Sequence, residues 1–320
     1  MTIPIKLDGM LVKIEETYGT DPTPTTAANG VRVSDRIWPA FSMEHVYPNL
    51  RENSASGLLT PPAPALPAGA VGTLEIACEV KGFGAAYGAT DRPEVDPLLR
   101  SVGFNDTITS TTKYSYDLVS TGAESCTIWL YTGGLLYKMS GCRGSVRWVV
   151  TPGEVSVMIF SMQGIMAAAV PTAIACPTIT YNATLPPAAI GMAHTIVGSV
   201  GSWSPVFSAA EFDLGTQISR RDSGNGADGI GEFAISGYTP RFTETADVVA
   251  LTVFDPTTDL EARTSTPIDW TIGPTQYNKA ELDLDNCWLV NDPSGEDSDS
   301  IAAYGLEYSM EQDDIAFVFE

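Results

Sequence analysis

The chain has 320 residues, 44% of them hydrophobic and 18% charged, which gives enough apolar material for one large domain or two smaller ones and argues against a disordered tail. Asp and Glu number 39 against 17 Lys and Arg, a net charge of −22, which argues against a surface that grips nucleic acid by neutralising its phosphates. The five cysteines are widely spaced, contain no Cys-x-x-Cys pair of the kind zinc or redox sites use, and read as buried thiols.

The opening segment, MTIPIKLDGMLVKIEE, places Lys6, Asp8, Lys13, Glu15 and Glu16 where an export signal needs an unbroken apolar stretch, so the expected compartment is a reducing cytoplasm. The next stretch, Glu16 to Pro67, is rich in Thr, Pro, Ala and Asn and has too few apolar residues for a core of its own. It is expected to be an extended arm and loop ordered against neighbouring subunits, with Tyr18, Asp21, Pro22, Pro24, Pro61 and Pro62 as its contact residues. The predicted organisation is thus an N-terminal strand with its arm over residues 1–70 and a β-domain over residues 71–320.

Within that domain, glycine and proline punctuate short runs of Val, Ile, Thr and aromatic residues, as in antiparallel β-proteins. From Thr73, the alternation of Leu74, Ile76, Cys78 and Val80 with Thr73, Glu75, Ala77, Glu79 and Lys81 predicts a strand with one core face and one polar face. Asp96 as N-cap, Pro97 in the first turn, the stripe Leu98, Leu99 and Val102, and Gly103 as a stop predict one short helix. Residues 145–150, the turn Thr151-Pro152-Gly153 and the run from Glu154 predict a hairpin. The apolar stretch Gly164 to Cys176 is interrupted by Pro171 and falls short of the ~18 residues of a membrane span, so no membrane partner is expected. Alternating runs recur from Ile230 and from Tyr304, and the acidic segment from Asn291 to Ser300 reads as a solvated loop.

Catalytic and metal patterns are scarce. The two histidines, His45 and His194, would both be needed for a dyad or a metal pair, and each reads as an ordinary polar or packing residue. Gly224 to Gly229 fits Gly-x-Gly-x-x-Gly, but a strand follows it where a dinucleotide site needs a helix. Asp292, Glu296, Asp297 and Asp299 do not have EF-hand spacing. No cofactor, metal or enzymatic activity is therefore expected.

The segments IEETYGTDPTPTTAANG (Ile14 to Gly30), VRWVVTPGEVSVMIFSMQG (Val146 to Gly164), PEVDPLLRSVGF (Pro93 to Phe104) and ADGIGEFAISGYTPRF (Ala227 to Phe242) resemble the major tail tube proteins of long-tailed bacteriophages. The resemblance implies an all-β sandwich or partial barrel with one short flanking helix and long loops, in which six subunits per ring each lend about four strands to a shared inner barrel. About 24 strands spaced ~4.8 Å apart and tilted near 40° give a backbone diameter of roughly 48 Å, wide enough for duplex DNA. The implied partners are further copies of the chain in stacked homohexameric rings, the tape measure, tail tip and terminator proteins, and double-stranded DNA that passes without specific binding. The implied location is the virion tail, assembled in the host cytoplasm. Glu75, Glu79, Glu154 and Glu232 are the expected lumen-lining acids, repelling phosphates over a Debye length of ~8 Å. The alternatives are another virion component, such as a tail terminator or capsid decoration protein, and a carbohydrate-active or carbohydrate-binding β-sandwich.

Overall fold

The computed structural model describes residues 8–35, 37, 39–46, 66–88, 91–109, 111–166, 172–187, 197–226, 229–298, 301–311 and 314–320, so Pro61, Pro62 and His194 lie outside the described residues. Before the first helix, α1 (Asp96–Ser101), come β1 (Gly9–Ile14), β2 (Gly30–Val31), β3 (Ala40–Val46) and β4 (Leu66–Glu79). After it come β5 (Phe104–Thr109), β6 (Lys113–Leu118), β7 (Cys126–Thr132), β8 (Leu135–Val150), β9 (Val157–Met166), β10 (Thr172–Ala173), β11 (Val197–Val200) and β12 (Phe207–Asp213). A ribbon of β13 (Gln217–Asp222) and β14 (Ile230–Gly237), then β15 (Arg241–Asp247), leads to a second helix, α2 (Pro256–Ala262). The chain closes with β16 (Ser265–Ile272), β17 (Ala280–Leu289), β18 (Ser294–Ser298), β19 (Ile301–Met310) and β20 (Ile315–Phe319). The all-β class expected from the alternating runs is the class observed.

One antiparallel sheet of eighteen strands folds over itself into two packed layers. The first layer runs β3, β4, β9, β8, β12, β15, β19. Strand β19 then pairs with β18 at one end and with β17 at the other, and β17 begins the second layer with β16, β20, β6 and β5. The sixteen-residue strand β8 serves both directions: its second half pairs with β12, while its first half pairs with β7, which carries β1 and β2. It changes partner around Gly141, whose φ of +61° marks a bulge that a residue with a Cβ would strain.

The inward faces meet in an aromatic core. Trp148 and Phe212 from the first layer approach Phe317 of the second at 5.7 Å each, and Phe104 approaches it at 5.0 Å. Phe242 faces Trp270 across the layers at 5.8 Å. Such ring pairs add to the area they bury. The alternation from Thr73 is realised, with Leu74, Ile76, Cys78 and Val80 buried, and the hairpin turn is realised too. Glu154 N donates to Thr151 O at 3.2 Å with Pro152 second in the turn and Gly153 third at φ +85°, as a type II turn requires. Of the five cysteines, Cys78, Cys126, Cys142 and Cys287 are buried free thiols.

Four expectations need correction. Asp96 is not the N-cap of α1 but lies inside its first turn, because its carboxylate is drawn to Arg92 (3.1 Å) and Tyr116 (2.9 Å); Val95 occupies the cap without a side-chain bond. A second helix exists: Asp255 caps α2 by accepting from Thr258 N at 3.2 Å, with Pro256 in the first turn. The acidic segment is not all loop, since Ser294–Ser298 pairs along β19. Asn291 seeds that pairing, its amide donating to Gly305 O and its carbonyl accepting from Glu307 N, both at 2.8 Å. Lys81 is not on a polar face. Strand β4 ends before it, and its buried ammonium pairs with Glu94 at 2.9 Å.

Phe317 touches three rings of both layers, so Phe317→Ala is expected to destabilise the fold by about 3–5 kcal/mol in urea unfolding. A loss below about 1 kcal/mol would show that the layers do not depend on this ring.

Candidate functional site

The outward residues of β4, β9, β8, β12, β15 and β19 form one face on which charged and hydroxyl side chains alternate with apolar ones such as Ile159, Val157 and Val149. Its acids are Glu75 and Glu79 on β4, Glu211 and Asp213 on β12, Asp247 on β15, and Glu307 on β19; its cations are Arg147 and Arg241. Cα register places Glu75 opposite Ser161 and Ser161 opposite Ser145, while Arg147 lies between Ile159 and Asp213. Arg147 reaches Glu211 at 3.5 Å, and Arg241 is paired with Glu307, so six carboxylates face two guanidiniums that are already engaged. A shallow depression of about 420 Å³ lies between Glu75, Ser145, Arg147, Ser161 and Asp213. This face is an open acidic surface and not a cleft that could enclose a substrate.

The four expected lumen acids separate in the structure. Glu75 and Glu79 share the polar face. Glu154 is exposed at the tip of the β8–β9 turn. Glu232 lies on the separate β13–β14 ribbon, bound by Arg221 at 2.8 Å and near Arg143 at 3.7 Å. Its charge is neutralised locally, so it does not join Glu75 and Glu79.

The first half of the arm folds back on its own chain. Tyr18 sits under the ribbon, accepting from Phe233 N at 2.7 Å and donating to Gly141 O at 3.1 Å, with the Arg143 guanidinium over its ring at 5.2 Å. Burial pushes its hydroxyl up to about 12, so it stays neutral and free to donate. Asp21 accepts from Trp129 Nε1 and pairs with Lys138, both at 3.2 Å. The carbonyl of Pro22 accepts from Lys13 Nζ at 3.0 Å, and Pro24 is buried. These contacts arise because Glu15, directly before the arm, is anchored: its carboxylate accepts from Gly19 N, Ser125 Oγ, Thr127 Oγ1 and Gly141 N, all at 2.6–2.7 Å. An arm lacking a core of its own can still be ordered by the parent sheet, which is the alternative that composition does not reveal.

A second acidic face, on the outside of the other layer, was not among the sequence-derived candidates. Asp269 and Asp283 lie directly opposite on β16 and β17, and Asp117 of β6 follows one strand beyond Ala316. Partial burial, then the neighbouring Asp269, raises Asp283, and burial raises Glu281 and Asp117; Lys113 is the cation facing them. The signal in the sequence is the alternation Glu281, Asp283, Asp285 with Leu282, Leu284 along β17. Among the described residues no group of three or more His, Cys, Asp or Glu is placed to hold a metal ion, and no helix is long and apolar enough to cross a membrane.

The chain matches no model of a known protein family and no curated protein.

Replacing Tyr18 by Phe leaves the Phe233 amide without its acceptor, at a cost of about 1–3 kcal/mol for a buried donor. Hydrogen exchange of β14 should accelerate in Tyr18→Phe while exchange of β20 stays unchanged. Equal protection of β14 in the two proteins would detach the arm from the ribbon.

Proposed function

We propose that the chain is the major tail tube subunit of a long-tailed bacteriophage, a structural protein whose six-membered rings stack into a conduit for double-stranded DNA. The observation that carries this reading is the acid-bearing outer face that spans six adjacent strands of one twisted sheet, its carboxylates interspersed with apolar residues such as Ile159 and Val149, and that ends at an edge strand, β3, pairing only with β4 among the described residues. An exposed edge of this kind is a template for another strand, and closing it against the next subunit removes the liability. The face then becomes the wall of a shared barrel, with Glu75 and Glu79 on the lumen side and Arg147 and Arg241 already paired, so that phosphates meet repulsion and release no counterions. The described part of the arm is tied to the parent chain through Tyr18 and Asp21. The tape measure, tip and terminator proteins would be the partners inside and at the ends of the tube.

A carbohydrate-binding sandwich is less well supported, because a sugar platform needs exposed coplanar aromatics and Trp148, Trp203 and Trp270 are buried.

Electron microscopy of the purified chain is the direct test: rings or filaments with a central channel are expected, and single globular particles at all protein and salt concentrations would refute the proposal. The double variant Glu75→Lys, Glu79→Lys should still assemble, since exposed substitutions cost within about 0.5 kcal/mol. Its tubes should retain duplex DNA at low salt, and each phosphate engaged should add about 0.9 to the slope of log affinity against log salt. Tubes whose DNA retention is unaltered at any salt would place these two carboxylates off the lumen.

A further inference from the structure

Glu244 is the most anomalous charged residue of the fold. It lies on β15 between Phe242 and Ala246, all three pointing into the space between the layers, and it is 2% exposed. Neither carboxyl oxygen has a hydrogen-bond partner among the described residues. Its cross-strand neighbours offer no donor, being Ala210 on β12 and Leu306 on β19. The titratable groups on the elements packed around it are Tyr308 from β19, Asp259 from α2 and Cys287 from β17, and the Tyr308 hydroxyl feels all three of Glu244, Asp259 and Cys287. None of these is a cation. The Tyr308 hydroxyl and Trp270 Nε1, also buried, likewise have no partner among the described residues.

We propose that Glu244 is a proton-dependent latch between the two layers: the folded chain holds it as a neutral carboxylic acid, and loss of that proton loosens the β12, β15 and β19 segment of the first layer. An ionised carboxylate in this position would have no hydrogen-bond donor and no counter-charge among the described residues, which is a costly state for a buried group. A protonated carboxyl carries far less desolvation cost and gains a donor of its own. Burial accordingly pushes the group from 4.5 up to about 8. Between those two values the folded chain holds one proton more than the unfolded chain, so stability falls as pH rises through that window and levels off above about 8. The direction is opposite to that of a salt-bridged carboxylate. It also sets Glu244 apart from Glu15, whose carboxylate accepts from four donors. This inference concerns the single folded chain and does not depend on the assembly proposed above.

Urea unfolding of the full chain between pH 5 and 9 tests it, comparing the wild type with Glu244→Gln and Glu244→Met. Other titrating groups are common to all three proteins and cancel in the ratio of folding equilibrium constants. The ratio of wild type to either variant is expected to fall about tenfold per pH unit up to about pH 8 and then stay constant. A ratio independent of pH would overturn the proposal. Should both variants fail to fold, amide exchange on the wild type decides: protection of β15 relative to β6 should drop between pH 6 and 8.5, after correction for the intrinsic exchange rate, and an unchanged ratio would overturn the latch.

Discussion

The carboxylate of Glu15 accepts hydrogen bonds from four groups that come from three separate places in the chain: the turn at Gly19, Ser125 and Thr127 beside and within β7, and the bulge at Gly141. Much of the architecture depends on that bulge. There β8 parts from β7, and its last residues continue against β12. A bulge exposes backbone donors that the ladder no longer satisfies, and in the interior these need an acceptor. Glu15 supplies it, and because the same carboxylate also holds Gly19, satisfying the bulge simultaneously fixes where the arm begins. The position of Tyr18 over Gly141, and of the ribbon over Tyr18, follows from that placement.

Two buried carboxylates therefore show the two ways in which a β-protein can accommodate an acid inside. Glu15 is surrounded by donors and acts as a structural acceptor in place of a missing strand neighbour. Glu244 is surrounded by Ala210, Leu306 and aromatic rings and has only its own proton to offer. Both occupy inward positions of otherwise regular strands or strand ends, so the difference lies in the partners and not in the local conformation. A third arrangement appears at α1, where Asp96 is buried beside Arg92 and Arg100: burial raises it and the two guanidiniums oppose that rise.

What was legible in the sequence is what alternation encodes. Leu74 to Val80 declared its buried face because period two is the signature of a half-buried strand, and Thr151-Pro152-Gly153 declared its turn because only Pro and Gly suit those two positions. Ser294–Ser298 was illegible because a strand of Ser, Gly, Glu and Asp has no apolar face; it exists through the Asn291 side chain, a contact across 14 residues that no local window contains. Helix α2 carried a readable signal, Asp255-Pro256 followed by Thr258, the same Asp-Pro pair that marked α1, but it lacks a stripe like Leu98, Leu99 and Val102. Of the candidate site, Glu75 and Glu79 were legible as one polar face, whereas the grouping of Glu232 with them was not a sequence-level question. It depends on the ribbon forming its own two-stranded sheet and on Arg143 and Arg221 reaching across to it.

The distribution of charge constrains how copies of the chain could associate. Both outer surfaces of the layered sheet carry acids, Glu75, Glu79, Glu211, Asp213, Asp247 and Glu307 on one and Asp117, Asp269, Glu281 and Asp283 on the other. Two copies brought face to face would oppose like charges, whereas copies joined edge to edge through backbone pairing would keep the acids pointing away from the joint. With a net charge of −22 per chain, long-range repulsion still acts between neighbours, and salt weakens it over a Debye length of about 8 Å at physiological strength. Salt also weakens any attraction of phosphates to stray cations. Ionic strength therefore acts in one direction on both, weakening the repulsion between copies of the chain and weakening any adhesion of nucleic acid to its acidic surfaces.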